Sequence, residues 1–206
     1  MAQFYPEGTI ISTGLSKWCG AGGWRLGAFI FPANYQWLLD GMAAVASETF
    51  SAVSAPVQFA AVTAYQSSPA IKKYIQDSRK ILQAIAKYVH KQLSEMHVDV
   101  QLADGGFYMM PDFEYYRDFF AQKGIFTGEQ MCKTLLEETG VAMLPGSEFG
   151  RPKEELNSRL CFVDFDGGAL LKIITANEIQ VDSSFVLANC PKIVGAMEQV
   201  KAWLYK

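Results

Sequence analysis

The run Ser12-Thr-Gly-Leu-Ser-Lys17-Trp-Cys-Gly-Ala-Gly-Gly-Trp-Arg25-Leu-Gly27 sets one lysine among small residues and follows it, eight positions later, with one arginine. Ile10 and Ile11 before it read as the end of a strand, so Lys17 is expected at a strand's end, where open α/β sheets gather their ligands. Eight fully extended residues would hold the two cations roughly 26 Å apart. A single small anionic ligand needs them at its opposite ends, so the chain between them must fold back. Gly20, Gly22 and Gly23 permit this, because glycine accepts positive φ and lets backbone N–H groups approach a phosphate. A planar guanidinium suits phosphate through two parallel charge-assisted bonds. An ammonium whose pKa is lowered by burial or by a nearby cation becomes a nucleophilic amine that condenses with a carbonyl. A solvated lysine beside an ordinary glycine turn explains each residue singly, but not the whole pattern. Gly20-Ala-Gly22 lacks the third glycine of a dinucleotide loop, and Lys17 does not follow the spacing of a nucleotide phosphate loop.

Gly14, Leu15, Ser16, Lys17, Gly20, Ala21, Gly23, Arg25, Leu26 and Gly27 together resemble the lysine-attachment segment of class I pyridoxal-phosphate-dependent aminotransferases. The resemblance implies that Lys17 carries pyridoxal 5'-phosphate as a Schiff base and shuttles the proton, and that Arg25 binds the cofactor phosphate. Many members have a serine three residues before the lysine; here that position is Gly14, and Ser16 or Ser12 is the candidate hydroxyl.

A chain of 206 residues can bury a self-sustaining core, roughly 70% of its unfolded surface. A formal charge of −3 with 13% aromatic residues describes a globular protein with no basic excess for nucleic acid. Cys19, Cys132, Cys161 and Cys190 are widely spaced in apolar contexts and are expected as buried thiols in a reducing cytosol. With His90 and His97 as the only histidines, neither a histidine-rich metal site nor a serine-histidine triad is expected. Met1 to Gly8 does not read as a signal peptide and no apolar run reaches membrane-spanning length, so the expectation is a cytoplasmic protein with no membrane or metal partner.

After Arg25, Leu26 to Phe31 reads as a buried strand stopped by Pro32 and lying beside the strand that delivers Lys17. Trp37, Leu38, Met42 and Val45 recur at helical spacing within 34–49, and a second helix is expected from about Val57 to Tyr65. Ser51 and Ser54 lie between them. The resemblance implies a serine near here that reaches a neighbouring subunit's phosphate; a helix-capping serine is the alternative. Ser68-Pro69 opens a helix whose apolar face, marked by Ile71 to Leu93, continues through Met96, so the helix is about 28 residues and roughly 42 Å long. Such a rod is long enough to bridge two domains, and the resemblance implies a connecting helix here with a domain boundary near residue 70. Lys72, Asp77 and Arg79 read as its solvated face, and His90 as a surface residue.

Val98 to Leu102 and Phe107 to Met110, separated by Asp104-Gly-Gly106, suggest a hairpin. Tyr115, Tyr116, Phe119 and Phe120 read as core packing, and Thr127 to Thr139 as a helix with a capping-box start and Gly140 as its stop. Val141 to Gly150 is a strand breaking into a turn. Arg159 then opens the strand from Ser158 to Val163, and Asp164 and Asp166 fall in a turn. Gly105-Gly-Phe-Tyr108 and Pro145-Gly-Ser-Glu-Phe-Gly150 resemble segments of the same family, which implies that Arg159 clamps the substrate's α-carboxylate. A bidentate fork suits that role. Pro191 to Leu204 reads as a closing amphipathic helix.

The implied fold class is α/β, an incomplete fold type I transferase. Residues 1–70 would be the last strands and helices of the large cofactor domain, and 71–206 the long connecting helix and an α+β small domain. The implied reaction is amino transfer between an α-amino acid and a 2-oxo acid. Only sixteen residues precede Lys17, whereas in the family a long segment comes first. The expectation is therefore a C-terminal portion, a piece or one product of a split gene, inactive without its N-terminal half and homodimeric when complete. The alternatives are a non-catalytic remnant serving as an interaction module, or another pyridoxal-phosphate enzyme (lyase, racemase or synthase).

Overall fold

The computed structural model describes residues 1–50, 52–176 and 179–206. The chain divides into two compact units, Met1–Ile75 and Gln76–Lys206, the division falling five residues beyond the boundary expected from the sequence.

In the first unit, β1 (Ile11–Gly14) pairs antiparallel with β2 (Gly27–Ile30), with Gly14 opposite Gly27. The single-turn helix α1 (Leu15–Trp18) lies in the connection between them. Helices α2 (Gln36–Thr49) and α3 (Ala55–Tyr65) follow, and α4 (Pro69–Glu95) begins here, with the Ser68 hydroxyl accepting from Ile71 N–H at 3.2 Å. The core is small, namely Leu15, Leu26, Val57 and Ala61. One expectation is corrected. The second strand is not buried, since Phe29 and Ile30 are both 56% exposed. The 34–49 helix forms, but its apolar side stays open, with Trp37 68% and Val45 64% exposed, because no residue of α2 is buried.

The second unit is built around the later turns of α4, whose Ile81, Ile85, Val89 and Leu93 enter a continuous core with Phe113, Phe120, Leu135, Phe162 and Trp203. At its C-terminus Val98 N–H bonds back to Leu93 O (3.1 Å) and His97 N–H to Ser94 O (3.1 Å), with His97 in the left-handed conformation (φ 56°). Asp77 is not on the solvated face; it is buried and pairs with Lys80 at 3.4 Å. The expected hairpin does not form. Val98 to Leu102 makes only the Asp99–Asp112 bridge, and β3 (Tyr108–Met109) pairs with β5 (Ser158–Cys161), which also takes β4 (Leu144–Pro145) on its other edge. The order is β3-β5-β4, both pairs antiparallel.

Helices α5 (Arg117–Gln122), α6 (Gly128–Thr139), α7 (Gly167–Ala176), α8 (Ser183–Asn189) and α9 (Pro191–Leu204) complete this unit. α6 starts as expected: Thr127 Oγ1 accepts from Gln130 N–H (3.2 Å), and the Gln130 side chain accepts from Phe126 N–H (2.8 Å). Gly140 ends it at φ 74°. Asp166, read as a turn residue, accepts from Ala169 N–H (2.9 Å) at the start of α7, and Asp164 pairs with Lys192 at 2.9 Å. Of the aromatic run, Tyr116 and Phe120 are buried as core, whereas Tyr115 is exposed and stacks on His97. The four cysteines are unbridged, but only Cys132 and Cys190 are buried; Cys161 is exposed on β5 and Cys19 partly so. Among the described residues no helix is long and apolar enough to cross a membrane, and no cluster of His, Cys, Asp and Glu could hold a metal.

Candidate active site

The Lys17 loop is a closed hairpin connection. Gly14 and Gly27 sit opposite each other where the strands run close: a Cβ on Gly14 would lie 3.3 Å from Leu26 O, a tight contact, and one on Gly27 would touch Thr13 O at 3.4 Å. Beyond them Leu15 N–H bonds to Leu26 O (3.2 Å), and both side chains are buried, so residues 15–26 leave and return at one point. Within the loop, Ala21 N–H bonds to Leu15 O (3.1 Å), Gly20 N–H to Lys17 O (3.2 Å) and Trp24 N–H to Ala21 O (3.1 Å).

The chain between Lys17 and Arg25 thus folds back as the glycines suggested, but not where all of them stand. Gly20 takes positive φ (65°), and the other left-handed residue is Arg25 itself (φ 54°, ψ 46°). Its guanidinium donates through Nη1 to Gly22 O at 3.0 Å. A feature the sequence did not announce is Tyr74, whose hydroxyl stands 3.6 Å from where a Cβ on Gly20 would be.

Ser12 is exposed on β1 opposite Phe29, and Ser16 is half-buried in α1; neither hydroxyl is bonded to another described residue. Ser54 precedes α3, but its hydroxyl makes no capping bond, and Ser51 lies outside the described residues. Lys17 and Arg25 are both exposed. Two concavities of this unit, about 300 and 470 Å³, are lined mainly by apolar residues such as Val57 and Leu26 and include neither cation. An amine, a guanidinium and two hydroxyls on one hairpin are the donor types that an aldehyde and a phosphate such as those of pyridoxal 5'-phosphate call for. A carboxylate for its ring nitrogen is not among residues 12–27.

The second cluster lies wholly within the second unit. Arg159 occupies the central strand β5, where it pairs with Leu144 of β4. Its guanidinium carbon stands 4.4 Å from the Tyr108 ring centroid and 4.2 Å from that of Phe149, and none of its N–H groups has an acceptor among the described residues. Such a fork is free to receive a carboxylate in its plane. Tyr108 and Phe149 escaped the sequence reading. Both stand in the segments that carried the resemblance, but their meeting with Arg159 depends on a pairing between β3 and β5 that local pattern does not reveal.

Phe149 is set by the turn Gly146–Phe149. Gly146 N–H bonds to Asn157 O (3.0 Å), Arg151 N–H to Gly146 O (3.2 Å), and Gly150 follows at φ 82°. A side chain on Gly146 would have to displace the Asn157 amide, because a Cβ would fall 1.7 Å from Asn157 Oδ1. Near this turn, the Arg117 guanidinium bonded to Glu114 holds that carboxyl below its usual range.

A family described as aminotransferase class I and II matches residues 2–166. The chain is 30% identical over 146 residues to an aspartate aminotransferase of Bacillus sp. (strain YM-2), covering 70% of this chain and 35% of that protein. It is 29% identical over 155 residues to an aspartate aminotransferase of Pyrococcus horikoshii, covering 75% and 37%. It therefore spans about a third of the length of the curated relatives it matches.

Among solved structures, an aromatic aminotransferase from Pyrococcus horikoshii OT3 superposes with a TM-score of 0.71 at 25% identity, over 97% of this chain and 43% of that one. A Thermus thermophilus aspartate aminotransferase variant superposes at 0.70 and 18% identity, over 98% and 45%, a likeness of fold. The fold is thus part of fold type I, as the resemblance implied, in a pyridoxal-phosphate-dependent class. With four-fifths of its residues inside the matched span, the chain belongs to the class I and II aminotransferases.

Proposed function

We propose that this chain is the C-terminal portion of a cytoplasmic aminotransferase that moves an amino group between an α-amino acid and a 2-oxo acid, and that it works only with its N-terminal half. The observation that carries this reading is the closed connection 15–26, in which two buried leucines hold Lys17 and Arg25 on one short hairpin. Pyridoxal 5'-phosphate, when bound, supplies the electron sink for the pair left as the substrate Cα–H bond breaks. Arg25 holds the phosphate by its fork, with Ser16 and Ser12 as hydroxyl donors. Lys17 Nζ would hold the cofactor through its aldehyde and, as a free amine, would take the proton from the substrate Cα. Arg159 fixes the α-carboxylate and so the direction in which the C–H bond points.

Incompleteness has its own support. The chain spans about a third of its curated relatives, and a core of four residues leaves Phe29, Ile30, Trp37, Val45 and Phe59 open to solvent. On this reading residues 1–70 belong to the large cofactor domain, 71–206 form the connecting helix and small domain, and the complete enzyme is a homodimer. The test joins the chain to the N-terminal portion of the Bacillus sp. relative, checks for one cooperative unfolding transition, loads the cofactor and adds an α-amino acid. Stoichiometric release of the 2-oxo acid, lost on Lys17→Ala, is expected. Exchange of the α-proton without 2-oxo acid would overturn amino transfer in favour of another reaction on the same cofactor.

A further inference from the structure

We infer that Tyr108 and Phe149 are positioning residues that aim the Arg159 guanidinium at the carboxylate of an α-amino acid or 2-oxo acid, an inference that rests on Arg159 being the carboxylate anchor. A ring face attracts a guanidinium through its quadrupole and uses none of the N–H donors. Arg159 is held in this manner by two rings, 4.4 and 4.2 Å away, while its donors find no acceptor among the described residues. A cation restrained but not neutralised is prepared for an anion from outside the chain.

The rings are brought in by two separate segments, the strand β3 and the turn Gly146–Phe149. Tyr108 lies opposite Cys161, so it shares a sheet face with Arg159 two residues earlier and reaches it diagonally. Phe149 is carried to the same guanidinium by a turn in which a Cβ at Gly146 would collide with Asn157 Oδ1 and Gly150 is left-handed immediately after it. Neither ring is core: Tyr108 is 37% and Phe149 42% exposed, and Phe149 makes no ring–ring contact among the described residues. Two half-exposed aromatics that converge on one unpaired cation restrict its rotamers, which lowers the ordering cost of each bond it then makes.

The experiment records the Arg159 Nε–H resonance of the full chain by nitrogen-15 NMR, assigned by its disappearance in Arg159→Lys, and titrates propionate as the carboxylate probe. The native resonance should show a ring-current shift and should move on saturation with propionate. Tyr108→Leu and Phe149→Leu should each remove part of the ring-current shift and weaken propionate binding about threefold. Tyr108→Phe and Phe149→Tyr, which keep the faces, should restore both. Leucine variants that keep the native melting temperature and bind propionate like the native chain would overturn positioning, as would a native resonance without any ring-current shift, whatever the variants do. Should Arg159→Lys itself leave propionate binding unchanged, the carboxylate-anchor reading falls, and the positioning inference with it.

Discussion

Arg25 occupies a backbone conformation that costs a side-chain-bearing residue about 1–2 kcal/mol, while its one internal bond, to Gly22 O, is exposed. Replacing it with glycine relieves that strain and adds chain entropy to the unfolded state. Arg25→Gly should therefore leave the unfolding free energy, read by urea titration, within about 0.5 kcal/mol of native. The same change should weaken pyridoxal phosphate binding at least about tenfold and leave pyridoxal binding alone, since only the phosphate loses a charge-assisted partner. Equal losses for both ligands would show that Arg25 is not the phosphate residue. At Gly146 the expectation reverses. Gly146→Ala drives a methyl into the buried Asn157 amide and should cost about 2 kcal/mol by denaturant titration, with Phe149 displaced from Arg159. At this scale the sequence was read well where chemistry names itself: a lysine, an arginine and a run of glycines. It was read less well where geometry decides. Gly22 and Gly23 are not left-handed, Arg25 is, and Tyr108 and Phe149 acquire their partner only through the sheet.

Among the elements, α6 was legible to its ends because its signals are local. Thr127, Gln130 and Gly140 lie within or next to one helix and satisfy its terminal groups themselves. Thr127→Ala should lower stability by about 1 kcal/mol and Thr127→Ser should keep it, as read by thermal melting. The segment from Val98 to Met110 was misread for the converse reason. Its alternation and glycine turn fit a hairpin, but β3 finds its partner about fifty residues later, and no local pattern reports such a register. Helices α7 and α8 went unread because Gly167-Gly168 resembles a turn; Asp166 and Asp182 begin them by accepting backbone N–H groups. Bonds from Ser184 and Phe185 also hold the Asp182 carboxyl below its ordinary value.

Taken whole, the chain joins a well-filled second unit to a first unit whose small core leaves apolar faces uncovered. The second unit should weaken in alkali. Burial pushes the Cys132 thiol up to about 12 from 9.0 and raises Cys190, and it also raises Tyr116 and Tyr88 above 10.0. The unfolded chain releases these protons first, so stability is full below about pH 9 and is lost as pH rises through the folded values. The urea midpoint should fall between pH 8 and 10.5, and less so in Cys132→Ala. The family and its partial span were legible from one glycine-rich segment, because attachment chemistry tolerates few alternatives. That apolar faces would lie open followed from that partial span; which faces they are was not legible, since an apolar period looks the same whether its partner lies within the chain or outside it.

Reductive trapping addresses the central claim most directly. The chain joined to the N-terminal portion of its Bacillus sp. relative is incubated with pyridoxal phosphate and reduced with borohydride, and its peptides are mapped by mass. A pyridoxyl adduct concentrated on Lys17, and abolished there by Arg25→Gly at low cofactor concentration, is expected. An adduct spread evenly over the surface lysines, with Lys17 no more labelled than Lys72 or Lys87, would contradict it.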